Sequence, residues 1–476
     1  MSYDVVIIGA GAAGLAAAVE LARGGKTAVV LEARDRIGGR CWSLDVPGLP
    51  VPVELGAEFI HGRPAATLSR MRRAGIAAID APILRMAMID GALRPRDDAL
   101  YTEIGRFLRR HAGALRKKDV SFEAFLARAG RGLSDAARTF ARMRVQGYDA
   151  AQPARASARA IAEEWIAEDA GRPGHFRPQG GYGALLSVLA GSLDGSGVEL
   201  RLQHAVRSVR WQPGRVEVEG THSPPAGGRD GVSRSMPSSR RAPDAMQRGG
   251  MGGVAHEVRR GGGRNFVVAA QRAIVTLPLG VLKLPARSAG AVRFDPPLRE
   301  KRAALEGLVS GAVIKAALLF RTAFWEEIEA ARYRGVSFFH SPRSPFPTFW
   351  TALPEQTPLV VAWAGGPKAA RFADTAAPVI VRAAAASFAS VFGIRSGIEE
   401  RLAAAWVHHW QQDPFARGAY SYVAVGGQGA RRALAEPLQD TLYFAGEAAD
   451  HEGEHGTVAG ALRSGERAAR AVLGRG

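Results

Sequence analysis

The sequence predicts a two-domain α/β fold, and three features of the chain lead to this prediction. The first is a strand, a glycine turn, a helix and a second strand within the first 31 residues. The second is a largely helical stretch from about residue 99 to residue 167. The third is a set of strand-like segments between residues 198 and 320. A chain of 476 residues is also long enough for more than one domain.

The N-terminal segment predicts a βαβ unit of the Rossmann-like kind. Residues 5–8 and 27–31 are short apolar strands, and between them residues 9–14 read Gly-Ala-Gly-Ala-Ala-Gly before a helical segment at 15–23. The glycines permit a tight turn, a close approach of the backbone to a pyrophosphate and close packing of the helix. Glu32 ends the second strand, where a carboxylate can accept hydrogen bonds from a ribose. The unit therefore predicts a dinucleotide site.

The rest of the chain supplies further strands and helices. The predicted elements are a strand meander at 198–218 with a turn at Pro213–Gly214, strands at 266–277, 313–320 and 441–444, and helices at 379–392 and 457–473. Residues 221–264 are rich in Gly, Ser, Pro and Arg and carry almost no large apolar side chains. We expect them to be a disordered insertion in a surface hairpin, whose role stays open.

Composition is that of an ordinary globular protein, with 47% hydrophobic and 23% charged residues. No apolar run reaches the ~20 residues needed to cross a bilayer, and the N-terminus does not resemble a signal peptide. Cys41 is the only cysteine, so we expect a cytoplasmic protein without a membrane partner. The formal charge is +18, but arginine is spread throughout, which favours a diffusely basic surface over a nucleic-acid site.

The segment after Glu32 indicates which dinucleotide is bound. Residues 32–40 read Glu-Ala-Arg-Asp-Arg-Ile-Gly-Gly-Arg, so a glycine pair and several arginines follow the ribose acid and suit a second contact with the pyrophosphate. This stretch resembles the flavin-containing amine oxidase superfamily, which includes monoamine, polyamine and L-amino acid oxidases and histone lysine demethylases. The resemblance continues, in order, at residues 54–62, Val206, and residues 275–282, 410–422, 443–448 and 456–461.

This resemblance implies an FAD-binding Rossmann-like domain (GR2-type) formed by residues 1–75, 190–285 and 400–476. It also implies a mixed sheet and helical substrate domain from residues 76–189 and 286–399. The FAD is expected to be non-covalent, since the position of the family's covalent-flavin cysteine reads Ala419 here. The residues that the resemblance assigns to FAD are Gly9, Gly11, Ala13, Gly14, Glu32, Ala33, Arg34, Gly39, Arg40, Gly56, Ala57, Glu58, Val206, Trp410, Gly446, Glu447, Thr457 and Val458.

Three residues are candidates for catalysis. Lys315 lies in a strongly apolar strand, where a lysine is costly unless it reaches water, pairs or functions. By resemblance it is the family's flavin lysine, which bridges through water to N5. His61 resembles a histidine that faces the substrate channel in polyamine oxidases, although a lone histidine is also compatible with a packing role. Tyr420 resembles one wall of the aromatic cage around the substrate amine. The opposite wall begins at Gly456 here, so the cage is incomplete.

Residues 450–455 interleave three carboxylates with two histidines. A metal site is compatible with these residue types, but no second ligand cluster accompanies them, so we favour a solvated loop and expect no metal. A third interpretation is that one of the carboxylates attracts a cationic amine.

The resemblance implies an oxidoreductase that acts on an amine or amino acid. A hydride would pass from the carbon next to nitrogen to flavin N5, the imine would hydrolyse, and O2 would be reduced to H2O2. Two alternatives stay open: a related FAD-dependent desaturase or porphyrinogen oxidase, and a flavin-bound module that docks on a polyanion through its basic insertion. The amine, the physiological electron acceptor and the oligomeric state are not determined by the sequence.

Overall fold

The computed structural model describes residues 2–89, 91–96, 99–169, 174–222, 233–235 and 263–474. The first strands in these ranges are β1 (Ser2–Ile8), β2 (Ala28–Leu31), β3 (Ser43–Leu44), β4 (Val53–Glu54), β5 (Ile60–His61), β6 (Ala78–Asp80), β7 (Arg85–Ile89), β8 (Ala92–Pro95), β9 (His175–Pro178), β10 (Val198–Arg201), β11 (His204–Gln212) and β12 (Arg215–His222). They are followed by β13 (Ser233–Ser235), β14 (Arg264–Val275), β15 (Arg293–Asp295), β16 (Leu308–Ser310), β17 (Val313–Phe320), β18 (Phe338–His340), β19 (Thr348–Thr351), β20 (Leu359–Gly365), β21 (Leu402–His408), β22 (Ser421–Val423) and β23 (Leu442–Phe444). The α-helices are α1 (Ala12–Arg23), α2 (Ala65–Arg73), α3 (Ala99–Lys117), α4 (Phe122–Ala129), α5 (Asp135–Gly147), α6 (Ala158–Asp169), α7 (Gly181–Gly191), α8 (Leu279–Leu282), α9 (Arg302–Glu306), α10 (Gly366–Ala370), α11 (Ala377–Val391), α12 (Ile398–Arg401), α13 (Ala430–Ala435) and α14 (Val458–Val472).

The first large sheet contains the predicted βαβ unit. Its order is β10-β2-β1-β14-β12-β11-β15, with β23 also paired to β14. Strands β1 and β2 are parallel and apolar, as expected for strands covered on both faces. Strand β14 pairs antiparallel with β12 through its first half and parallel with β1 through its second half, so it joins the hairpin to the parallel strands.

The predicted meander at residues 198–218 is only partly correct. Strands β11 and β12 form the expected hairpin, and Gly214 in its turn has a positive φ. Strand β10, however, pairs in parallel with β2 at the far edge of the sheet. The reason is packing: Val198 is buried in the same apolar cluster as α1, with Leu200 against its edge.

The second large sheet has the order β13-β21-β17-β20-β19-β18-β7-β8. Helix α11 covers one of its faces, and Phe388 is fully buried among the strand side chains. Helices α3 to α6 form a separate apolar cluster, in agreement with the helical stretch predicted from residue 99. Strands β13 and β21 belong to this sheet and β15 to the first one, so membership of the two large sheets departs from the predicted domain boundaries at these three strands. The domain division itself stays a prediction.

The predicted insertion at residues 221–264 lies mostly outside the described residues. Residues 221–222 end β12 and residue 264 begins β14, and these two strands pair with each other. Residues 233–235 form β13, which pairs with β21. Along the described ranges, none of the helices combines the length and the apolar composition that crossing a membrane requires.

Candidate functional site

A single continuous cavity of about 1650 Å³ runs from the glycine turn after β1 to the side chain of Lys315 on β17. It exceeds the ~300–1,000 Å³ of typical small-ligand sites, so it has room for a dinucleotide together with a substrate. The three candidate catalytic residues all line it. The residues predicted to bind FAD also line it, with the exception of Gly14.

The glycine turn fits a pyrophosphate. Helix α1 begins after Gly11 without any side-chain cap, so its first N–H groups are free of side-chain acceptors. A methyl group at Gly11 would find only the Gly38 carbonyl oxygen, 3.9 Å away, so this position is open. A methyl group at Gly14 would instead overlap the Gly9 carbonyl oxygen. Gly14 therefore acts through helix packing, as predicted for the third glycine, and not by lining the cavity.

Glu32 is held in place for a ribose. Its carboxylate accepts hydrogen bonds from the backbone N–H groups of Ala10 at 2.8 Å and Arg34 at 3.0 Å. The side chain is almost fully buried at the end of β2, yet it lines the cavity. A fixed acceptor at this position is what the predicted ribose contact requires, and the geometry of the turn and Glu32 together fits FAD.

Both arginines that were predicted to lie along the pyrophosphate are paired with carboxylates distant in sequence. Arg34 donates to Asp413 Oδ1 at 2.6 Å, and Arg40 donates to Glu447 Oε1 at 3.0 Å. Burial alone would raise the pKa of Asp413, but a hydrogen bond from His408 and the charge of Arg34 hold it well below its usual range. Asp413 was missed because no local pattern connects it to residue 34.

Lys315 is buried and its ammonium group donates to two protein acceptors, so the side chain does not extend into bulk water. The side chain is 2% exposed, and Nζ donates to the Gly56 carbonyl oxygen at 3.0 Å and to Glu58 Oε2 at 2.8 Å. The ring of Trp350 lies 5.5 Å from Nζ. Two of the three ammonium hydrogens are therefore used, and the third is left for the cavity.

Glu58 was predicted as an FAD contact, but its carboxylate is the centre of an ion cluster. Besides Lys315, it accepts from Arg177 Nε at 2.9 Å and from Trp350 Nε1 at 3.0 Å. Burial alone would raise the pKa of Glu58, yet Lys315 and Arg177 hold it below its ordinary value. Arg177 and Trp350 were not predicted, since their contacts with residue 58 span more than 100 positions of the chain.

His61 faces a second histidine across the cavity wall. Its Nδ1 lies 3.1 Å from Nδ1 of His175, so one of these nitrogens donates and the other accepts. Burial lowers the pKa of His61 to about 4. Burial, followed by the charges of His61 and two arginines, lowers the pKa of His175 to about 3. Both rings are thus neutral near pH 7, and the pair offers hydrogen bonds without charge.

Tyr420 forms one wall of the cavity. Its hydroxyl donates to the Tyr148 carbonyl oxygen, and burial followed by nearby carboxylates raises its pKa well above the ordinary value. Gly456 lies beside the ring, where an added methyl group would be 3.6 Å from it. Gly456, where the resemblance places the start of the opposite wall of the cage, bears no side chain.

The acidic loop at 450–455 distributes its charges over separate partners. Asp450 and Glu452 both pair with Arg463, at 2.7 and 3.3 Å, and His455 Nε2 lies 3.0 Å from Glu164 Oε2. Across the ranges that the structure describes, no group of three or more His, Cys, Asp or Glu is arranged to hold a metal.

Glu54 is a buried acid that the sequence did not single out. Its Oε1 accepts from Ser43 Oγ at 2.8 Å and from the Tyr182 N–H at 3.0 Å, whereas Oε2 has no hydrogen-bond partner. Burial raises the pKa of this carboxyl to about 7, in spite of the nearby charge of Lys315. Glu54 is therefore largely protonated at pH 6 and ionised at pH 8.

We expect Glu54→Gln to be more stable than the native protein at pH 8 but not at pH 5. Because the pKa is raised in the folded protein, the unfolded chain loses this proton at a lower pH than the folded chain does. The free energy of unfolding therefore falls by roughly 3 kcal/mol as the pH rises from about 4.5 to 7. Glutamine keeps the accepting oxygen and never ionises. Thermal unfolding with excess FAD at pH 5 and pH 8 measures the difference. Glu306→Gln, at an exposed carboxylate, is the control, and equal pH dependence of all three proteins would contradict the prediction.

Comparisons with known proteins agree on one family. The family described as "Flavin containing amine oxidoreductase" matches residues 12–226 and 246–473. Human lysine-specific histone demethylase 2 is 27% identical over 499 residues, which is 98% of this chain and 53% of that protein. Polyamine oxidase 3 of Oryza sativa subsp. japonica is 28% identical over 509 residues, which is 98% of this chain and 88% of that protein. The chain spans about half the length of the human demethylase.

Solved structures share the fold at lower identity. A putrescine oxidase variant superposes with a TM-score of 0.74 at 20% identity, and each chain is fully covered. Cyclohexylamine oxidase from Brevibacterium oxydans IH-35A gives a TM-score of 0.74 at 19% identity, with 100% of this chain and 99% of that chain covered. These similarities show the same α/β architecture.

Proposed function

Because the chain belongs to the family of flavin containing amine oxidoreductases, we propose that it oxidises the C–N bond of an amine and passes the electrons to O2. The family match confirms the resemblance predicted from the motifs, and with it FAD as the cofactor and the α/β fold. The observation that best supports the proposal is the continuity of one cavity from the glycine turn to the buried Lys315.

Different residues along this cavity would bind different parts of FAD. The uncapped start of α1 receives the diphosphate, and Glu32 receives the adenosine ribose. Thr457 caps α14 by accepting a hydrogen bond from the N–H of Gly460, and both Thr457 and Glu447 line the cavity. FAD bound by these residues would supply the acceptor for a hydride from the carbon next to the amine nitrogen.

Lys315 and its partners hold a positive charge at the reacting end of the cavity. Because Glu58 and Gly56 take two of its hydrogens, the third is directed to a water in the cavity. Such a water, fixed by an ammonium group, is a proton donor for the reduction of O2. The net positive charge of the Lys315–Glu58–Arg177 cluster also stabilises negative charge that develops nearby.

The substrate end of the cavity combines an aromatic face with uncharged hydrogen-bonding groups. Tyr420 offers a ring face, and the His61–His175 pair offers neutral hydrogen-bonding groups. The lone pair of the nitrogen has to be free for the carbon to release a hydride, so the amine has to be deprotonated before it reacts.

We propose that FAD is held without a covalent bond. Cys41 is the only thiol of the chain, and burial raises its pKa to about 12, so it is a poor nucleophile. Acid precipitation is expected to leave all FAD in the supernatant. The cytoplasmic location stays a prediction from the sequence.

Oxygen consumption with a panel of amines tests the proposed reaction. The panel contains putrescine, spermidine, cyclohexylamine, L-amino acids and a peptide with a dimethylated lysine, because the relatives include polyamine oxidases and histone demethylases. We expect one class to consume O2 and yield an equal amount of H2O2, and FAD removal to abolish both. Amine oxidation that proceeds without any O2 uptake would contradict O2 as the acceptor.

A further inference from the structure

We propose that Glu164 and His455 form a dyad that removes the proton from the substrate ammonium before oxidation. This inference rests on the proposed amine oxidation and assigns a second catalytic group to the same cavity. Neither residue belongs to the motifs that hold FAD, and they come from distant parts of the chain, helix α6 and the loop before α14.

The geometry of the dyad leaves one ring nitrogen available. His455 Nε2 lies 3.0 Å from Glu164 Oε2, so an ionised Glu164 fixes the hydrogen on Nε2. Nδ1 then carries the lone pair, and it makes no hydrogen bond to any described residue. Both side chains line the cavity, and each is about one-quarter exposed.

The dyad lies beside the proposed substrate wall. His455 directly precedes Gly456, and a methyl group added at Gly456 would be 3.6 Å from the ring of Tyr420. Glu164 lines the same cavity as Tyr420, and its charge, with those of Asp149 and Glu447, adds to the effect of burial in raising the pKa of Tyr420. A base on His455 is thus at the end of the cavity where the amine is expected.

Neighbouring charges keep Glu164 ionised. Burial alone would raise the pKa of Glu164, but the hydrogen bond and charge of His455, followed by the charges of Arg431 and Arg144, hold it below its ordinary value. Glu454, which directly precedes His455, adds a further carboxylate to the loop. The two arginines thus help to keep Glu164 in the carboxylate form that fixes the hydrogen on His455 Nε2.

The proposed step is a simple proton transfer. The N–H bond of the ammonium breaks, its electron pair stays on nitrogen as the lone pair, and the proton forms a bond with Nδ1 of His455. Glu164 stabilises the resulting imidazolium, and the total charge of the site does not change. A neutral amine, ready to lose a hydride, remains in the cavity.

The limiting rate of anaerobic flavin reduction, measured by stopped flow at saturating putrescine or cyclohexylamine from pH 6 to pH 10, tests the dyad. In His455→Asn we expect the rate of flavin reduction to fall at least tenfold at pH 7 and to lie within twofold of the native rate at pH 10. The acidic limb of its pH–rate profile should shift to higher pH by at least one unit. Glu164→Gln removes the group that stabilises the imidazolium, so it should lower the rate at pH 7 by less than His455→Asn does. Imidazole added to His455→Asn should restore part of the rate.

His111→Asn is the matched control, since this histidine lies on α3 outside the cavity lining and donates to the Phe107 carbonyl oxygen. The visible flavin spectrum of each variant shows that it folds and binds FAD. If the native protein is reduced but His455→Asn keeps its pH profile, or loses the same factor at every pH, the dyad is wrong and amine oxidation stands. If neither amine reduces the native flavin, the proposed function fails and the dyad with it.

Discussion

Lys315→Met is expected to bind FAD normally but to slow flavin reoxidation or turnover by roughly a hundredfold, within the range for loss of a positioned proton-transfer group. The substitution keeps the length of the side chain but removes the ammonium that donates to Gly56 and Glu58. The cavity then loses the proposed water-holding charge. Stopped-flow mixing of the reduced protein with O2, followed in the visible flavin band, gives the rate directly.

Two further variants separate this role from a structural one. Lys283→Met removes a lysine that donates to the Leu308 carbonyl oxygen away from the cavity, and it should reoxidise at the native rate. In Lys315→Met the carboxylate of Glu58 keeps only Arg177 and Trp350, so stability should fall. The double variant Lys315→Met/Glu58→Gln should be more stable than Lys315→Met but should reoxidise its flavin just as slowly. A native reoxidation rate in Lys315→Met would show that the assignment of Lys315 is wrong.

Gly14→Ala is expected to abolish FAD binding. The added carbon would overlap the Gly9 carbonyl oxygen, so the turn and the start of α1 would have to move apart. Gly11→Ala should act differently, because its methyl group meets no protein atom closer than 3.9 Å and projects into open space. It should leave the apoprotein as stable as native and weaken FAD by at least roughly tenfold, a loss of about 1.4 kcal/mol.

The ratio of flavin to protein absorbance after purification, and titration of the apoproteins with FAD, measure both effects. Gly113→Ala is the control, because this glycine lies within α3 and an added methyl group meets nothing within 4 Å. It should bind FAD as the native protein does. Full FAD occupancy in Gly14→Ala would contradict the packing role assigned to this glycine.

The sequence predicted those parts of the site whose partners are close along the chain. The glycine turn, Glu32 and the strand around Lys315 are local patterns, and they lie where they were expected. The pairing of β10 was not predicted, because alternation at residues 198–201 describes a strand without naming its neighbour.

The partners of the charged groups were also missed. Arg177 and Trp350 donate hydrogen bonds to Glu58, and His175 faces His61. These partners are more than 100 positions apart in the sequence, so no local sequence pattern predicts the contacts. The raised pKa of Glu54 has a similar origin, since burial by the whole fold causes it. Chemistry that depends on such contacts becomes visible only when the chain is folded.

The most direct test of amine oxidation by bound FAD is an anaerobic titration of the purified protein with putrescine, spermidine, cyclohexylamine and L-amino acids, each added singly. Reduction of the flavin by a substrate reports the chemistry of the cofactor without any assumption about the electron acceptor. We expect one class of amine to bleach the visible flavin band, and that class to define the substrate. A protein that carries FAD but is bleached by none of these amines would contradict the account.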